Sequence, residues 1–575
     1  MQTTNLKITF FVIFLPWLLL FDVSDGRGIN GGLDCAVCTV VLGLSIQVAQ
    51  INNETIVSAS TKLCSLLPSK AASTCINIVN EIEPALLSKE LFDVVTPDVI
   101  CYGVGLCYKS PGEKYCHLFP KPNVSGFHSS VTKVKATLKS EKQGWNLCSL
   151  PGIKDICEDI NRSLERIQPA VDVDTDWFST VQSARGSFWR GKDCDDTDTV
   201  TYPGRQPVLG DAFLDTNCNG IFGIDPSSAT AWETILCTGA IGRGLIYMGD
   251  SVGAHFHFPE RWMDPLQVAQ INPWKIPTEL VQNVTQWILN EGDWPHLGFA
   301  TGYQNNTQPS LIKGPVDSIY LRMLALNRCN HRDYQNLSRN GAATNTVLAY
   351  MQSVARNATK DRPVLFIYGL YGNDVCNNVK DTVANMTTPE ELRKNVMEVL
   401  EFVDTVLPEG SHVLVIGMVD ASFIYPAMHK LIHPLGRLHN DITYENLYDW
   451  FSCMQIGPCN GWMTANETLR AITSKASKRL SKELEKLASS QTFKNFKLHY
   501  LDNPLGQVMK EWVSQGHEVF ELIDPIDSLH PSQMAQTLIT DVLWRNIMVK
   551  FPYIVGSVNP QNSRIQEIFG DQGGH

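Results

Sequence analysis

Six cysteines between residues 35 and 107 set a covalent limit on what the N-terminal part of this chain can become: Cys35, Cys38, Cys64, Cys75, Cys101 and Cys107. Apolar stretches run between them, such as Val40-Val41-Leu42-Gly43-Leu44 and Ile82-Glu83-Pro84-Ala85-Leu86-Leu87, in sequence that reads as helical. A Cys-x-x-Cys pair like Cys35/Cys38 also suits zinc or a redox site, but no thioredoxin-like strand pattern accompanies it. In an exported chain a disulfide frame is the favoured use. Export is expected. Lys7, an apolar run from Ile8 to Phe21 and small residues near Ser24 and Gly26 read as a secretory signal over 1–26, followed by a short leader over 27–33. That run is short for a membrane span, and no later segment reaches about 18 uninterrupted apolar residues. Nine Asn-x-Ser/Thr sequons, at Asn53, Asn123, Asn161, Asn283, Asn305, Asn336, Asn357, Asn385 and Asn466, suit a glycosylated protein that is secreted or kept in a lysosome or cytoplasmic vesicle.

At 575 residues the chain needs more than one core. Its net charge of −12 argues against a nucleic-acid partner, because phosphate binding calls for a basic surface. The cysteine-rich module is expected over 34–112. A polar linker over 113–160 follows, with Pro120, Pro122, Gly126 and the lysines Lys133, Lys135, Lys139 and Lys142. Such a stretch is exposed and open to proteolytic processing, and its lysines could hold an anionic headgroup.

The segment 161–235 is rich in Asp. It contains Asp193-Cys194-Asp195-Asp196-Thr197-Asp198, then Asp211, then Asp215-Thr216-Asn217-Cys218-Asn219-Gly220-Ile221. Asp and Asn at alternate positions turn oxygens toward one point, and glycine at the sixth place permits the sharp turn of an EF-hand-like loop. Asp215, Asn217, Asn219 and the Ile221 carbonyl would fill positions one, three, five and seven. The usual Glu at position twelve is absent, and Asp225, one place early, is the expected substitute. Hard oxygens suit Ca²⁺ better than zinc, so structural calcium is expected on Asp193, Asp195, Asp196, Asp198, Asp211, Asp215, Asn217, Asn219, Ile221 and Asp225, with the cysteines bridged.

Over 236–555, strand-like runs alternate with helical stretches, leaving a C-terminal tail over 556–575. The runs are Gly244–Met248, Val364–Tyr368, Val413–Val419, Lys497–Leu501 and Val519–Ile523, the pattern of a parallel sheet covered by helices on both faces. Sites in such sheets form beyond the carboxyl ends of the strands. There Ser251, in Gly249-Asp250-Ser251, Asn373, in Gly372-Asn373-Asp374, and the pair Asp527/His530 each follow a run. A hydroxyl becomes a useful nucleophile when an imidazole takes its proton and a carboxylate fixes the imidazole's tautomer. His255, His257 and His331 offer a zinc alternative, but no third ligand has fitting spacing, so packing or substrate contact is the expected role. Trp262, Trp274, Trp287 and Trp294 crowd the stretch after the serine; they are core by default, with one or two expected to line an acyl-chain channel.

The cysteine spacing, with Pro97-x-x-Ile100-Cys101 before the last pair, closely resembles the saposin B family. The resemblance implies bridges Cys35–Cys107, Cys38–Cys101 and Cys64–Cys75, and helices that open onto a lipid, membrane or micelle surface. The serine, asparagine and Asp/His blocks resemble the SGNH/GDSL hydrolases in order. That implies a parallel-sheet α/β/α sandwich beside the all-α saposin-like domain, with Ser251 as nucleophile, His530 as general base and Asp527 orienting it. The oxyanion would be held by the N–H groups of Ser251 and Gly341 and the Asn373 side-chain amide. The full order of signal, saposin-like module, Asp-rich segment and GDSL-type domain resembles a family of esterases that remove secondary acyl chains from the lipid A of bacterial lipopolysaccharide. Those enzymes are cut into small and large chains held by a disulfide, for which Cys116 with Cys453 is the implied pair. Two other readings stay open: a phospholipase, lysophospholipase or other glycolipid esterase, and a lipid-binding or transfer protein with an inactive hydrolase domain.

Overall fold

The computed structural model describes residues 28–64, 76–77, 79–80, 96–120, 129–132, 158, 167–270, 286–306 and 311–575. The signal segment, Cys75, Trp274, most of the 113–160 linker and the sequons at Asn123, Asn161 and Asn283 lie outside the described residues.

The core is a five-stranded sheet: β1 (Gly244–Gly249), β2 (Tyr334–Asn336), β3 (Val364–Gly369), β4 (Ser411–Ile416) and β5 (Phe496–Leu501), in the order β2-β1-β3-β4-β5. Every pairing is parallel. All six residues of β1, β3 and β4 are buried, as continuous apolar runs require when helices cover both faces. The edge strand β5 alternates buried and open positions. This order reverses direction between β1 and β3, the switch point at which open α/β sheets leave a crevice.

Two expectations change. Val519–Ile523 is not a strand: Val519–Leu522 forms a 3₁₀ turn, and Ile523 makes only a single bridge, to Pro531. Pro525 and Pro531 lack the N–H groups a ladder needs. The polar trio Tyr334-Gln335-Asn336 is instead the edge strand β2, and its Asn336 is a sequon. Asn336 is 1% exposed, and its Nδ2 donates to the Gly253 carbonyl (2.8 Å) and Thr301 Oγ1 (3.1 Å). A nitrogen engaged inside the core has no room for a glycan. Asn53, Asn305, Asn357, Asn385 and Asn466 are exposed. The C-terminal segment is no loose tail either: Asn562–Phe569 is helical, and the His575 ring packs on Tyr303, Tyr320 and His331.

The N-terminal module contributes α1 (Gly32–Asn52), α2 (Ile56–Cys64) and α3 (Pro97–Val104), with α1 packed on the other two. Cys35 is bonded to Cys107 and Cys38 to Cys101; Cys64 is also disulfide-bonded, its expected partner lying outside the described residues. Helix α1 is long and apolar enough to cross a membrane, yet 78% of its most apolar window is buried inside the protein. It docks on the hydrolase half, where Gln47 Nε2 donates to the Leu435 carbonyl (2.9 Å). The Cys116–Cys453 disulfide joins the same two halves. Cys194–Cys218, Cys237–Cys329 and Cys376–Cys459 complete the bridges among the described residues.

Candidate active site

Ser251 opens the short helix α4 (Ser251–Ala254) directly after β1. Its neighbour Asp250 is buried and caps that helix, with Oδ1 accepting the Val252 N–H (3.0 Å). Oδ2 accepts the Tyr371 N–H (2.6 Å) from the loop after β3, so one carboxylate holds the two loops of the switch point together. Burial lifts Asp250 to about 6 against the pull of those N–H groups. Two residues beyond Tyr371, Asn373 Nδ2 donates to the Ala342 carbonyl (2.9 Å), which fixes the amide plane and leaves its second N–H. The adjoining Asp374 accepts the Thr344 hydroxyl (2.6 Å) and backbone N–H, tying this loop to the one that carries Gly341. Gly341 itself sits at φ +73° on an exposed turn, outside the residues lining the cavity around Ser251.

Asp527 and His530 come from the loop between the 3₁₀ turn at 519–522 and α8, not from a strand end; here we number α5 (Pro389–Val406), α6 (Tyr444–Met454), α7 (Glu467–Ser490) and α8 (Gln533–Lys550). His530 Nε2 lies 2.7 Å from Ser251 Oγ, and Nδ1 lies 2.6 Å from Asp527 Oδ2. Asp527 Oδ1 accepts the N–H groups of Leu529 (2.8 Å) and His530 (3.0 Å), so the carboxylate orients ring and backbone together. Burial alone would lower His530, but the Asp527 carboxylate holds the imidazole above its ordinary range. Burial alone would likewise raise Asp527, and the charge and hydrogen bond of His530 hold it below the usual carboxylate range. A serine hydroxyl, an imidazole and a carboxylate in line can remove the serine proton as it attacks a carbonyl.

A cavity of 60 Å³ opens at Ser251, Asn373 and His530, with an apolar wall that includes Val419, Ala421, Phe423, Ile424 and Trp462. The three described tryptophans expected here are elsewhere. Trp262 and Trp287 pack edge to face at 5.5 Å in the core, and the indoles of Trp287 and Trp294 both donate to the His257 carbonyl. Trp462, which lines the site, was not singled out from sequence; its place depends on the tertiary fold. His255 is fully buried with Nδ1 3.2 Å from the Trp294 carbonyl, burial pushing it well below its ordinary value, and His331 is buried against His575. His257 faces Asp524. Among the described residues none of the three histidines joins a group able to hold a metal.

The acidic segment gathers around residues the sequence reading passed over. Asp172, Asp174 and Asp196 present carboxylate oxygens within 4.8 Å of one another, as do Asp174 and Asp176 with Asp193. Oδ2 of Asp174, Asp176 and Asp193 is buried without a hydrogen-bond partner. Burial, then the neighbouring carboxylates, lifts Asp176 to about 8 and Asp193 to about 7. An all-oxygen set with orphaned buried oxygens fits a hard divalent cation. The alternating Asp172-x-Asp174-x-Asp176 was the readable signal. In the second loop Asp215 accepts the N–H groups of Asn219 and Gly220, and Asn219 Oδ1 accepts that of Ile221. Asn217 and Asn219 both reach Glu233 (3.2 and 3.0 Å), which the sequence reading missed because it stands far outside the loop. The Asp225 carboxylate accepts from Ser227 and Ser228 within its own turn. Asp195 and Asp198 likewise turn to Thr197 and Thr201 and stand outside the clusters, while Asp211 accepts from Thr216 Oγ1 and Val208 N–H.

Comparison with known proteins supplies the family. Residues 34–158 match the saposin-like domain, and residues 245–543 match the GDSL-like lipase/acylhydrolase family. The chain is 39% identical over 561 residues to the acyloxyacyl hydrolase of Homo sapiens, covering 96% of this chain and 95% of the relative. It is 41% identical to that of Oryctolagus cuniculus (94% and 93% covered) and 38% identical to that of Mus musculus (99% of each). A solved phospholipase A1 from Streptomyces albidoflavus NA297 aligns at 15% identity and TM-score 0.24, covering 53% of this chain and 99% of that one.

Proposed function

The chain belongs to the acyloxyacyl hydrolase family and is an ester hydrolase with a GDSL-like catalytic domain; from that premise we propose that it releases secondary, acyloxyacyl-linked fatty acids from the lipid A of bacterial lipopolysaccharide. The observation that carries the chemistry is the Asp527–His530–Ser251 array with its 2.6 and 2.7 Å contacts. In this reading Ser251 attacks the carbonyl that joins a fatty acid to the 3-hydroxyl of another acyl chain. His530 takes the serine proton and returns it to the departing hydroxyl. The acyl-serine is then cleaved by a water that His530 deprotonates. The developing oxyanion is held by the Ser251 N–H and the second N–H of Asn373, each donor worth on the order of 10²-fold in rate. The fatty chain lies along the Val419, Ala421, Ile424 and Trp462 wall.

The saposin-like domain suits amphiphilic lipid partners, and here it meets the glycolipid at a membrane or micelle surface and presents it to the serine. Calcium on the Asp-rich segment stiffens the fold and takes no part in the chemistry; Asp172, Asp174, Asp176, Asp193 and Asp196 hold one site, and Asp215, Asn217, Asn219 and Glu233 another. Export through the secretory pathway, glycosylation and cleavage in the 113–160 linker complete the proposal, with Cys116–Cys453 keeping the two resulting chains together.

The test is fatty-acid release from hexa-acyl lipopolysaccharide, comparing wild type with Ser251→Ala and weighing the products by mass spectrometry. Loss of secondary chains alone, abolished by the substitution, is expected. If lipid A stays intact while phospholipids lose chains through Ser251, the substrate assignment falls and the site stands.

A further inference from the structure

A second histidine–aspartate pair stands behind the first. His257 Nδ1 lies 2.6 Å from Asp524 Oδ2, with the two side chains 7% and 0% exposed. Neither atom makes a hydrogen bond, so the pair meets by close approach alone. In a dry site each is the nearest polar atom the other has, and burying a polar atom with nothing opposite it is costly.

Asp524 is the hub of the loop that carries Asp527 and His530. Its Oδ1 accepts the N–H groups of Ile526 (2.7 Å) and Asp527 (3.1 Å). Its carbonyl accepts the Ser528 N–H (3.0 Å), and its own N–H donates to the His530 carbonyl (2.8 Å). Ser528, between the two acid–base residues, is held at φ +57°, a conformation that needs support from its surroundings. Through its side chain and its backbone N–H and carbonyl, Asp524 thus holds this loop at four points.

His257 belongs to the other half of the site. It lies six residues after Ser251 on a segment whose Phe256 N–H donates back to the Ser251 carbonyl (2.9 Å). The His257 backbone is fixed in turn: its N–H donates to Gly292, and its carbonyl accepts both Trp287 and Trp294 indoles. The contact with Asp524 is a cross-link from the rigid segment of the nucleophile to the loop of the base.

We propose that His257 is a positioning residue, acting through Asp524 to keep His530 in line with Ser251. Without the imidazole, Asp524 Oδ2 is left buried with no polar atom opposite it, so the carboxylate must draw in water or turn away and release the Ile526 and Asp527 N–H groups. Either response moves the loop, and a shift near 1 Å in such a site costs on the order of 10²-fold in rate. Leu529 and Pro531 of this loop also line the cavity, but the wall at Val419, Ala421, Ile424 and Trp462 stands on other elements, so lipid binding should change less than the rate. This rests on the serine-esterase reading of the site.

The experiment measures kcat and KM on lipopolysaccharide together with the rate at which a fluorophosphonate probe labels Ser251. His257→Ala, His257→Asn and Asp524→Asn/His257→Ala are compared with wild type, alongside melting temperatures. His257→Ala is expected to lower kcat and the labelling rate by about 10²-fold with KM within about twofold. His257→Asn, whose amide N–H reaches toward the place of Nδ1, is expected to restore most of the rate, and the double variant to be no slower than the single one. Labelling of His257→Ala at the wild-type rate overturns the inference. So does a His257→Asn that melts like wild type yet labels as slowly as His257→Ala, and that arm stands even if the alanine variant does not fold. A wild type that never labels would sink the esterase reading itself, which separates the two failures.

Discussion

The Asp250 carboxylate accepts the backbone N–H of Tyr371 at 2.6 Å, so the residue beside the nucleophile also anchors the loop that presents Asn373. Its other oxygen caps the serine helix through Val252. Asp250→Ala leaves two buried N–H groups without acceptors, at about 1–3 kcal/mol each. The expected result is a kcat reduced by about 10- to 100-fold and a melting temperature several degrees lower. Steady-state kinetics and calorimetry check both, and a variant with wild-type kcat would show that the tie has no bearing on the site.

Asn373 already spends one N–H on the Ala342 carbonyl. Asn373→Ala removes the other from the oxyanion and should lower kcat on the order of 10²- to 10³-fold while KM holds. A rise in KM with kcat unchanged would instead make Asn373 a binding group.

The apolar wall of the cavity is set by small and medium side chains, Ala421 among them. Filling that space with Ala421→Phe should shift preference toward shorter acyl chains, since a lost methylene contact costs about 1–3 kcal/mol. Competing lipids of graded chain length, read by mass, give the profile directly. An unchanged profile would move the acyl chain away from this wall.

In the metal-free protein Asp176 stands at about 8 and Asp193 at about 7, lifted by burial and by their neighbours, whereas an unfolded aspartate titrates near about 3.9. Between those values the folded state holds more protons than the unfolded one, so chelated protein should gain stability as pH falls from about 8 toward about 5. With calcium bound, protons compete with the metal and the slope should reverse, with a higher melting temperature at neutral pH. Thermal unfolding in chelator and in calcium across that range reads both slopes. Two superimposable curves would remove the cation from the account.

Much of this could be read in the chain because its signals are local. Leu245 to Met248 and the run from Val364 are continuously apolar, and the fold buries them as central strands. Val519–Ile523 is apolar except for Glu521, but two prolines beyond it close off the ladder. Tyr334-Gln335-Asn336 carries no apolar signal, because its polar side chains are satisfied inside the fold, as the Asn336 amide is by Gly253 and Thr301. Ser251, Asn373, Asp527 and His530 were legible as short blocks, since each must sit on a tight loop. Glu233, Trp462 and the His257–Asp524 pair were not. Their meaning lies in what stands opposite them, and the partners are remote in sequence.

The Cys116–Cys453 bond has a kinetic meaning as well as a structural one. A lipid-binding module and a catalytic domain that met by diffusion would find each other less often as the solution is diluted. Tethered within one covalent unit, each sees the other at a fixed effective concentration, of the millimolar order for short links, whatever the volume around them. Dilution then lowers the concentration of working molecules and leaves each one complete.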